Sequence, residues 1–244
     1  MAVSYKQQVR RVIRQFGIDL VRYPLHDPLA RTVKLLASNR IDCVIDVGAN
    51  DGGFATAIRR FGYSGRIISF EPLLEPFEKL RKQAESDGLW DVHRCAVGAA
   101  SGEVTIHVSG DEAKSSSVLE MLPSHTNAAP NSRPVGMQTV HQYRLDRLLP
   151  DLAVSPASRA FLKIDVEGYE NAVLDGAVGI FADGGVVGLQ LELSLVPLYS
   201  GAMTYREGLD RAEGLGMRLM GLDPVFADAE SGQLLQVDAV FFVE

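Results

Sequence analysis

An open, doubly wound α/β sheet is the fold class the sequence predicts, and three observations predict it. Residues 43–47 form a short apolar run, Cys43-Val44-Ile45-Asp46-Val47, which breaks into Gly48-Ala49-Asn50-Asp51-Gly52-Gly53 before a stretch of helical composition from Phe54 to Phe61. The same theme, an apolar run that ends on an acid, returns at Ile67-Ile68-Ser69-Phe70-Glu71 and at Phe161-Leu162-Lys163-Ile164-Asp165. Between these runs the apolar residues recur at helical spacing. Strands therefore alternate with helices, which implies a mostly parallel sheet with its ligand site at the carboxyl ends of the strands.

Each element follows from its own residues. From Tyr5 to Phe16, Val9, Val12, Ile13 and Phe16 share one side of a helix and the basic residues take the other. Tyr23-Pro24 and Asp27-Pro28 break the chain before a second helix over 29–37. After the strand at 43–47, the helix over 54–61 stops at Gly62, and the helix over 74–84 repeats Leu74, Phe77, Leu80 and Ala84 and stops at Asp87-Gly88. Strands are expected at 92–97, 103–108 and 135–142. Residues 109–134 are polar, hold Ser115-Ser116-Ser117 and three prolines, and show no period. A loop of that length in a compact domain is usually functional, so it is read as a substrate lid. A short helix from Leu145, a strand at 161–164, a helix at 169–178, a strand at 186–193 and a helix at 205–215 follow. Two last strands, 218–222 and 237–243, are joined by a polar connection holding Asp223-Pro224 and Ser231-Gly232. The domain reading is an N-terminal helical arm, 1–40, and one ligand-binding domain, 41–244.

Charge and composition bound the function. The arm carries eight Lys or Arg against two Asp, +6, inside a chain whose net charge is −7, so residues 41–244 carry −13. An acidic body excludes a nucleic-acid substrate, whose phosphates need clustered Lys and Arg. Cys43 and Cys95 both fall in apolar runs and read as reduced core thiols, which suits a cytoplasmic protein. No apolar run approaches the ~18 residues of a membrane span and no signal-peptide stretch is present, so a soluble or peripheral protein is expected.

The glycine loop selects the ligand class. A strand, a glycine turn and a helix N-terminus present free N–H groups to a nucleotide-like cofactor. A dinucleotide fingerprint needs a second glycine where Asn50 stands. Asp46, at the mouth of the loop, suits a cationic group better than a pyrophosphate, although an aspartate there can also cap the turn. S-adenosylmethionine carries an ammonium and a sulfonium, and Glu71 stands at about the ~20-residue distance of a ribose-binding acid.

Asp46-Val47-Gly48-Ala49-Asn50-Asp51-Gly52, Phe70-Glu71-Pro72, Ala96-Val97-Gly98, Leu145-Asp146 and Lys163-Ile164-Asp165-Val166-Glu167-Gly168-Tyr169-Glu170 together resemble the ordered motifs of the FkbM-type methyltransferases. The resemblance runs through residues 41–193. It implies a class I methyltransferase (Rossmann-like) fold, with a seven-stranded sheet whose last strand is antiparallel. It also implies methyl transfer from S-adenosylmethionine to oxygen, often on sugars of glycolipids, polyketides or other secondary metabolites. Carried over residue by residue, it places Asp46, Gly48, Asn50 and Gly52 around the methionine part, Glu71 on the ribose, Ala96 and Val97 beside the adenine, and Asp165 near the methionine end. Ser116, in the serine-rich loop, is a further cofactor-pocket candidate.

Methyl transfer to a hydroxyl needs a base that removes its proton. Glu167 and Glu192, at strand ends over the cofactor mouth, are the candidates by position, with Asp165 beside them as the third acid of the catalytic set. Glu167 has the alternative role of an acid at a helix N-terminus. Asp165 and Glu192 could instead hold a divalent metal such as magnesium. His141 is a third base candidate. A nicotinamide-dependent oxidoreductase on the same fold class and a non-catalytic S-adenosylmethionine-binding protein are the alternatives. The amphipathic arm has two readings as well: a stripe packed on the body, or, for a glycolipid acceptor, peripheral contact of residues 1–22 with an anionic membrane.

Overall fold

The computed structural model describes residues 5–16 and 27–243. Helix α1 (Tyr5–Arg14) stands before an undescribed stretch, and α2 (Pro28–Ser38) opens the body. Asp27 caps α2 by accepting from the Ala30 N–H at 3.0 Å, with Pro28 in the first turn, where its missing N–H costs nothing. There follow β1 (Cys43–Val47), α3 (Gly53–Arg60), β2 (Arg66–Phe70), α4 (Leu74–Ala84), β3 (Trp90–His93), β4 (Ala96–Val97) and β5 (Gly102–Ser109). Then come α5 (Pro123–Ala128), β6 (Pro134–Tyr143), α6 (Leu145–Asp151), β7 (Ala160–Ile164), α7 (Glu170–Asp175) and α8 (Val178–Ala182). Last are β8 (Val186–Ser194), α9 (Tyr205–Gly214), β9 (Met217–Ala227) and β10 (Leu234–Val243).

Seven strands form one sheet in the order β3-β2-β1-β7-β8-β10-β9. Its first five strands are parallel, and β10 runs antiparallel between β8 and β9. Every residue of β1 and β7 is buried, as expected of central parallel strands covered on both faces. One core cluster holds Leu36 of α2, Ala55 and Ile58 of α3 and Leu80 of α4; the other holds Leu145 of α6, Val173 of α7 and Ala212 of α9. Helix α2, which the sequence groups with the arm, is thus packed into the body, with Leu36 fully buried.

Three elements differ from the sequence reading, each for a physical reason. The run at 92–97 is split: β3 ends the large sheet, while Ala96 and Val97 leave it to pair with β6 in a second, three-stranded sheet, β4-β6-β5. The helix expected over 169–178 breaks at Gly176, which lies so near the Gly98 carbonyl oxygen that a Cβ there would sit 2.1 Å from it. Asp223-Pro224 is not a connection but lies within β9, an edge strand, where a proline can sit because one side of the strand needs no ladder N–H. Residues 109–134 contain the short helix α5 and a 3₁₀ turn at Pro130–Ser132, and Leu119, Met121 and Ala128 pack against Leu198, Tyr199 and Leu235.

Candidate active site

At the carboxyl ends of the parallel strands lies a cavity of about 690 Å³. Strand register brings two polar rows together beneath it. Asp46 of β1 pairs with Lys163 of β7, which pairs with Gln190 of β8. One step nearer the cavity, Glu192 of β8 pairs with Asp238 of β10, which pairs with Asp223 of β9. Side chains alternate along a strand, so these six residues share the face toward α2 and α3, where the sheet turns from apolar to polar over its last residues.

Lys163 is the centre of the first row. Its ammonium lies 3.3 Å from Asp46 Oδ1, 3.1 Å from Asp165 Oδ2 and 5.2 Å from the centre of the Phe54 ring. Burial works against its charge, but Asp165 and Asp46 more than offset this and raise its pKa. Burial pushes the Asp46 carboxyl up while Lys163 pulls it down. Asp46, expected to meet a cofactor ammonium, is fully buried and is not among the residues that line the cavity; its carboxylate faces Lys163 and, at 3.4 Å, the Ser69 hydroxyl. Gly52 is likewise behind the wall. Its φ of +88° starts α3, and a Cβ there would sit 2.9 Å from Leu80, so it shapes the loop and touches nothing in the cavity.

Other expected cofactor residues do reach the cavity. Gly48, Asn50, Glu71, Ala96, Val97, Ser116 and Asp165 all line it. Gly48 has φ +81° and lies against the Asp165 carbonyl, where a Cβ would be 1.8 Å from the oxygen, so β1 and β7 can close only around a bare backbone. Glu71 accepts the N–H of Asn50 at 2.9 Å and of Leu73 at 2.8 Å, which fixes the loop to the end of β2. Burial raises its pKa to about 7. The Ser116 hydroxyl accepts the Ser109 N–H at 3.0 Å, so its first duty is to the loop.

Asp165, Glu167 and Glu192 are brought together, each offering an oxygen within 4.8 Å of the others. Glu167 sits in left-handed backbone, φ 54°, next to Gly168 at φ +92°, a sharp turn stapled by Glu170, which accepts the N–H groups of Val166 at 3.2 Å and Gly168 at 3.0 Å. The Glu167 carboxylate accepts from the Tyr199 hydroxyl at 2.9 Å, and that of Glu192 accepts from Gln236 Nε2 at 2.7 Å. Burial, then the neighbouring acids, pushes both glutamates well above the ordinary carboxyl range. Burial and Asp165 raise Asp238 to about 6. Crowded carboxyls of this kind hold protons or a cation at neutral pH. His141 is exposed on β6, outside the cavity.

The sequence reading assigned no role to Lys163, Gln190, Tyr199, Asp223, Gln236 or Asp238. A charged residue within the apolar run 161–164, two before an acid and hence on its side of the strand, was the available signal for Lys163. The two glutamines and Tyr199 carry none, because only pairing between distant strands and loops brings them to the glutamates. The two cysteines are free and buried, and burial pushes each thiol up to about 12, so they are inert core residues.

A glycine loop after β1, an acid after β2, and an antiparallel final strand inserted before its predecessor define a class I, Rossmann-like methyltransferase fold. Residues 46–218 match the methyltransferase FkbM domain, and the chain belongs to that family. It is similar to the methyltransferase domain of bacterial CtHen1-C (15% identity, 88% of this chain and 96% of that chain, TM-score 0.43). It is also similar to TehB from Haemophilus influenzae (9%, 95% and 65%, 0.48) and to a SAM dependent methyltransferase from Aquifex aeolicus (13%, 90% and 95%, 0.40). No curated protein matches the sequence significantly.

Proposed function

We propose that the protein is an S-adenosylmethionine-dependent O-methyltransferase acting on a sugar hydroxyl of a glycolipid or other secondary metabolite. The observation that carries this reading is the pair Glu167 and Glu192, two half-buried carboxyls that line the cavity beside Asp165, with pKa values raised by desolvation and by the charge of neighbouring acids. A carboxylate that binds a proton more tightly than usual is a competent base toward a hydroxyl. The cavity fits the cofactor: its volume lies in the ~300–1,000 Å³ range of small-molecule sites, and Gly48, Asn50 and Glu71 line it together. Bound S-adenosylmethionine would supply a methyl group on a sulfonium. Gly48 and Asn50 would hold its amino-acid end with Asp165, Glu71 would accept from the ribose hydroxyls, and Ala96 and Val97 would border the adenine, with Ser116 in the loop above. Asp46 acts through Lys163, and Gly52 through the shape of the loop.

Glu167 removes the proton of the acceptor hydroxyl, and Glu192, held by Gln236, orients that hydroxyl. Gln190, Asp223, which is paired with Arg31, and Asp238 line the remaining wall and offer acceptors to a polyhydroxylated ligand. A second reading rests on the same three carboxylates: Asp165, Glu167 and Glu192 would hold a divalent ion, and an all-oxygen set suits magnesium. The test is purified protein with labelled S-adenosylmethionine and the lipid and glycoside extract of a strain lacking the protein. Label appearing in a methyl ether of one sugar supports the reading; label in no product overturns it.

Peripheral contact with an anionic membrane and a cytoplasmic location complete the proposal. Val12 is 55% and Phe16 77% exposed on the α1 segment, so the described residues leave part of the apolar stripe in water beside the exposed Arg11. Residues 1–4 and 17–22 of the proposed contact lie outside the described residues. Among the described residues no helix is long and apolar enough to cross a membrane.

A further inference from the structure

Two distant stretches of chain, the 109–119 loop and the Glu167 turn, are joined by hydrogen bonds that meet around one phenol. The Ser117 hydroxyl donates to the Glu167 carbonyl at 2.7 Å, while its oxygen accepts the Leu119 N–H at 2.9 Å. The Tyr199 hydroxyl lies 2.9 Å from Glu167 Oε2 and 3.0 Å from the Ser115 carbonyl oxygen. Tyr199 does not line the cavity. It is buried beneath it, 1% exposed, in the stretch between β8 and α9. The turn above it is built to fit: a Cβ on Gly168 would lie 3.0 Å from Tyr199 Cβ, so only glycine lets Glu167 come down onto the ring. The loop is seated from the other side too, since Met121 bridges to Tyr199 and the Ser200 N–H donates to the Glu120 carbonyl at 2.8 Å.

We propose that Tyr199 is a positioning residue that orients the Glu167 carboxylate and latches the Ser115–Ser117 segment over it, so that the base is aimed only while that segment is seated. This rests on the reading of Glu167 as the base. A phenol has one hydrogen, and its two acceptors compete for it. The hydrogen bond to an ionised carboxylate is the stronger, so it commits Oε2 and leaves Oε1 to the acceptor hydroxyl. Base and loop therefore respond to one another through a single O–H. Ala113, Lys114 and Val118 of the same loop line the cavity, so loosening it changes the cavity wall itself.

The test is Tyr199→Phe, which keeps the ring and removes the hydroxyl, in the full chain with S-adenosylmethionine as the probe. Hydrogen exchange of amides in 111–119 should accelerate about tenfold, the effect of losing one hydrogen bond, with β1 and β7 unchanged and cofactor affinity within about twofold. In carboxyl carbon spectra of glutamate-labelled protein at fixed pH, the Glu167 resonance, identified by its loss in Glu167→Gln, should move. Glu167→Ala, which removes the phenol's charged acceptor from the other side, should loosen the same amides, and the double variant should loosen them no further. Exchange unchanged over 111–119, or accelerated equally throughout the sheet, overturns the latch. Neither readout needs turnover. The latch can therefore fail while Glu167→Gln still abolishes methyl transfer, and a Glu167→Gln protein with full turnover removes the base reading alone.

Discussion

Lys163 and Asp46 face one another across adjacent strands, ammonium 3.3 Å from carboxylate, with side chains 6% and 0% exposed. Neither could be buried alone, and Asp165 is held at the cavity by the same ammonium. Lys163→Met should therefore destabilise the protein by about 3–5 kcal/mol in urea unfolding, because it strands a buried carboxylate. Adding Asp46→Asn should return a large part of that loss. A single variant as stable as wild type would mean that Asp46 is not ionised in the fold.

Glu71 should set cofactor affinity. Glu71→Ala removes both a ribose acceptor and the partner of two loop N–H groups, and is expected to weaken S-adenosylmethionine binding by about 1–3 kcal/mol in calorimetry. With its carboxyl at about 7 in the empty protein, binding near that pH should also release protons, detected as a dependence of the heat on buffer ionisation enthalpy. An unchanged affinity removes Glu71 from the ribose.

Base and metal are separable. With Glu167 as base, Glu167→Gln loses about 10²-fold or more in kcat and a chelator does nothing. With a divalent ion on Asp165, Glu167 and Glu192, chelation abolishes turnover and magnesium restores it. Full activity in both experiments refutes both assignments.

The pH dependence of stability has a definite sign. Burial raises Glu71 and Glu170 to about 7 and Asp238 to about 6, above their unfolded values, so the folded protein binds more protons than the unfolded chain. That stabilisation is full below about pH 4, the unfolded carboxyl range, and is lost as pH rises through 6 to 7. Across that window each glutamate accounts for a loss on the order of 3 kcal/mol. Asp87 and Asp111, whose pKa values are lowered, act oppositely at more acid pH, and His93 and His125, lowered by burial, oppose the three acids near pH 6. Thermal unfolding of the empty protein should give a higher Tm at pH 5 than at pH 8; the reverse order would count against protonated acids in the cavity.

The arm is tested by flotation with liposomes. Contact through the basic, apolar N-terminal segment predicts binding to anionic and not neutral vesicles, reversal by salt, and loss on removal of residues 1–22. Full-length protein that ignores anionic vesicles at low salt would refute the contact.

The alternation of strands and helices was legible because apolar period and glycine punctuation are local. Asp46 to Gly53, Glu71 and Asp165 to Gly168 could all be placed at strand ends from their own neighbours in sequence. The proline at 224 was misread as a connection because a proline's tolerance depends on whether its strand lies at an edge, which no local pattern records. Asp46 shows the same limit at the site. Its position at the mouth of the loop is a property of the chain, but its partner is Lys163 of β7, over a hundred residues away and adjacent only through strand order. The sequence by itself placed Asp46, Glu71, Asp165, Glu167 and Glu192 at strand ends. Which carboxylates meet a cation, which share protons and which are held by Tyr199 was decided by register and crossover, because a charge's partner in a buried site is chosen by spatial proximity.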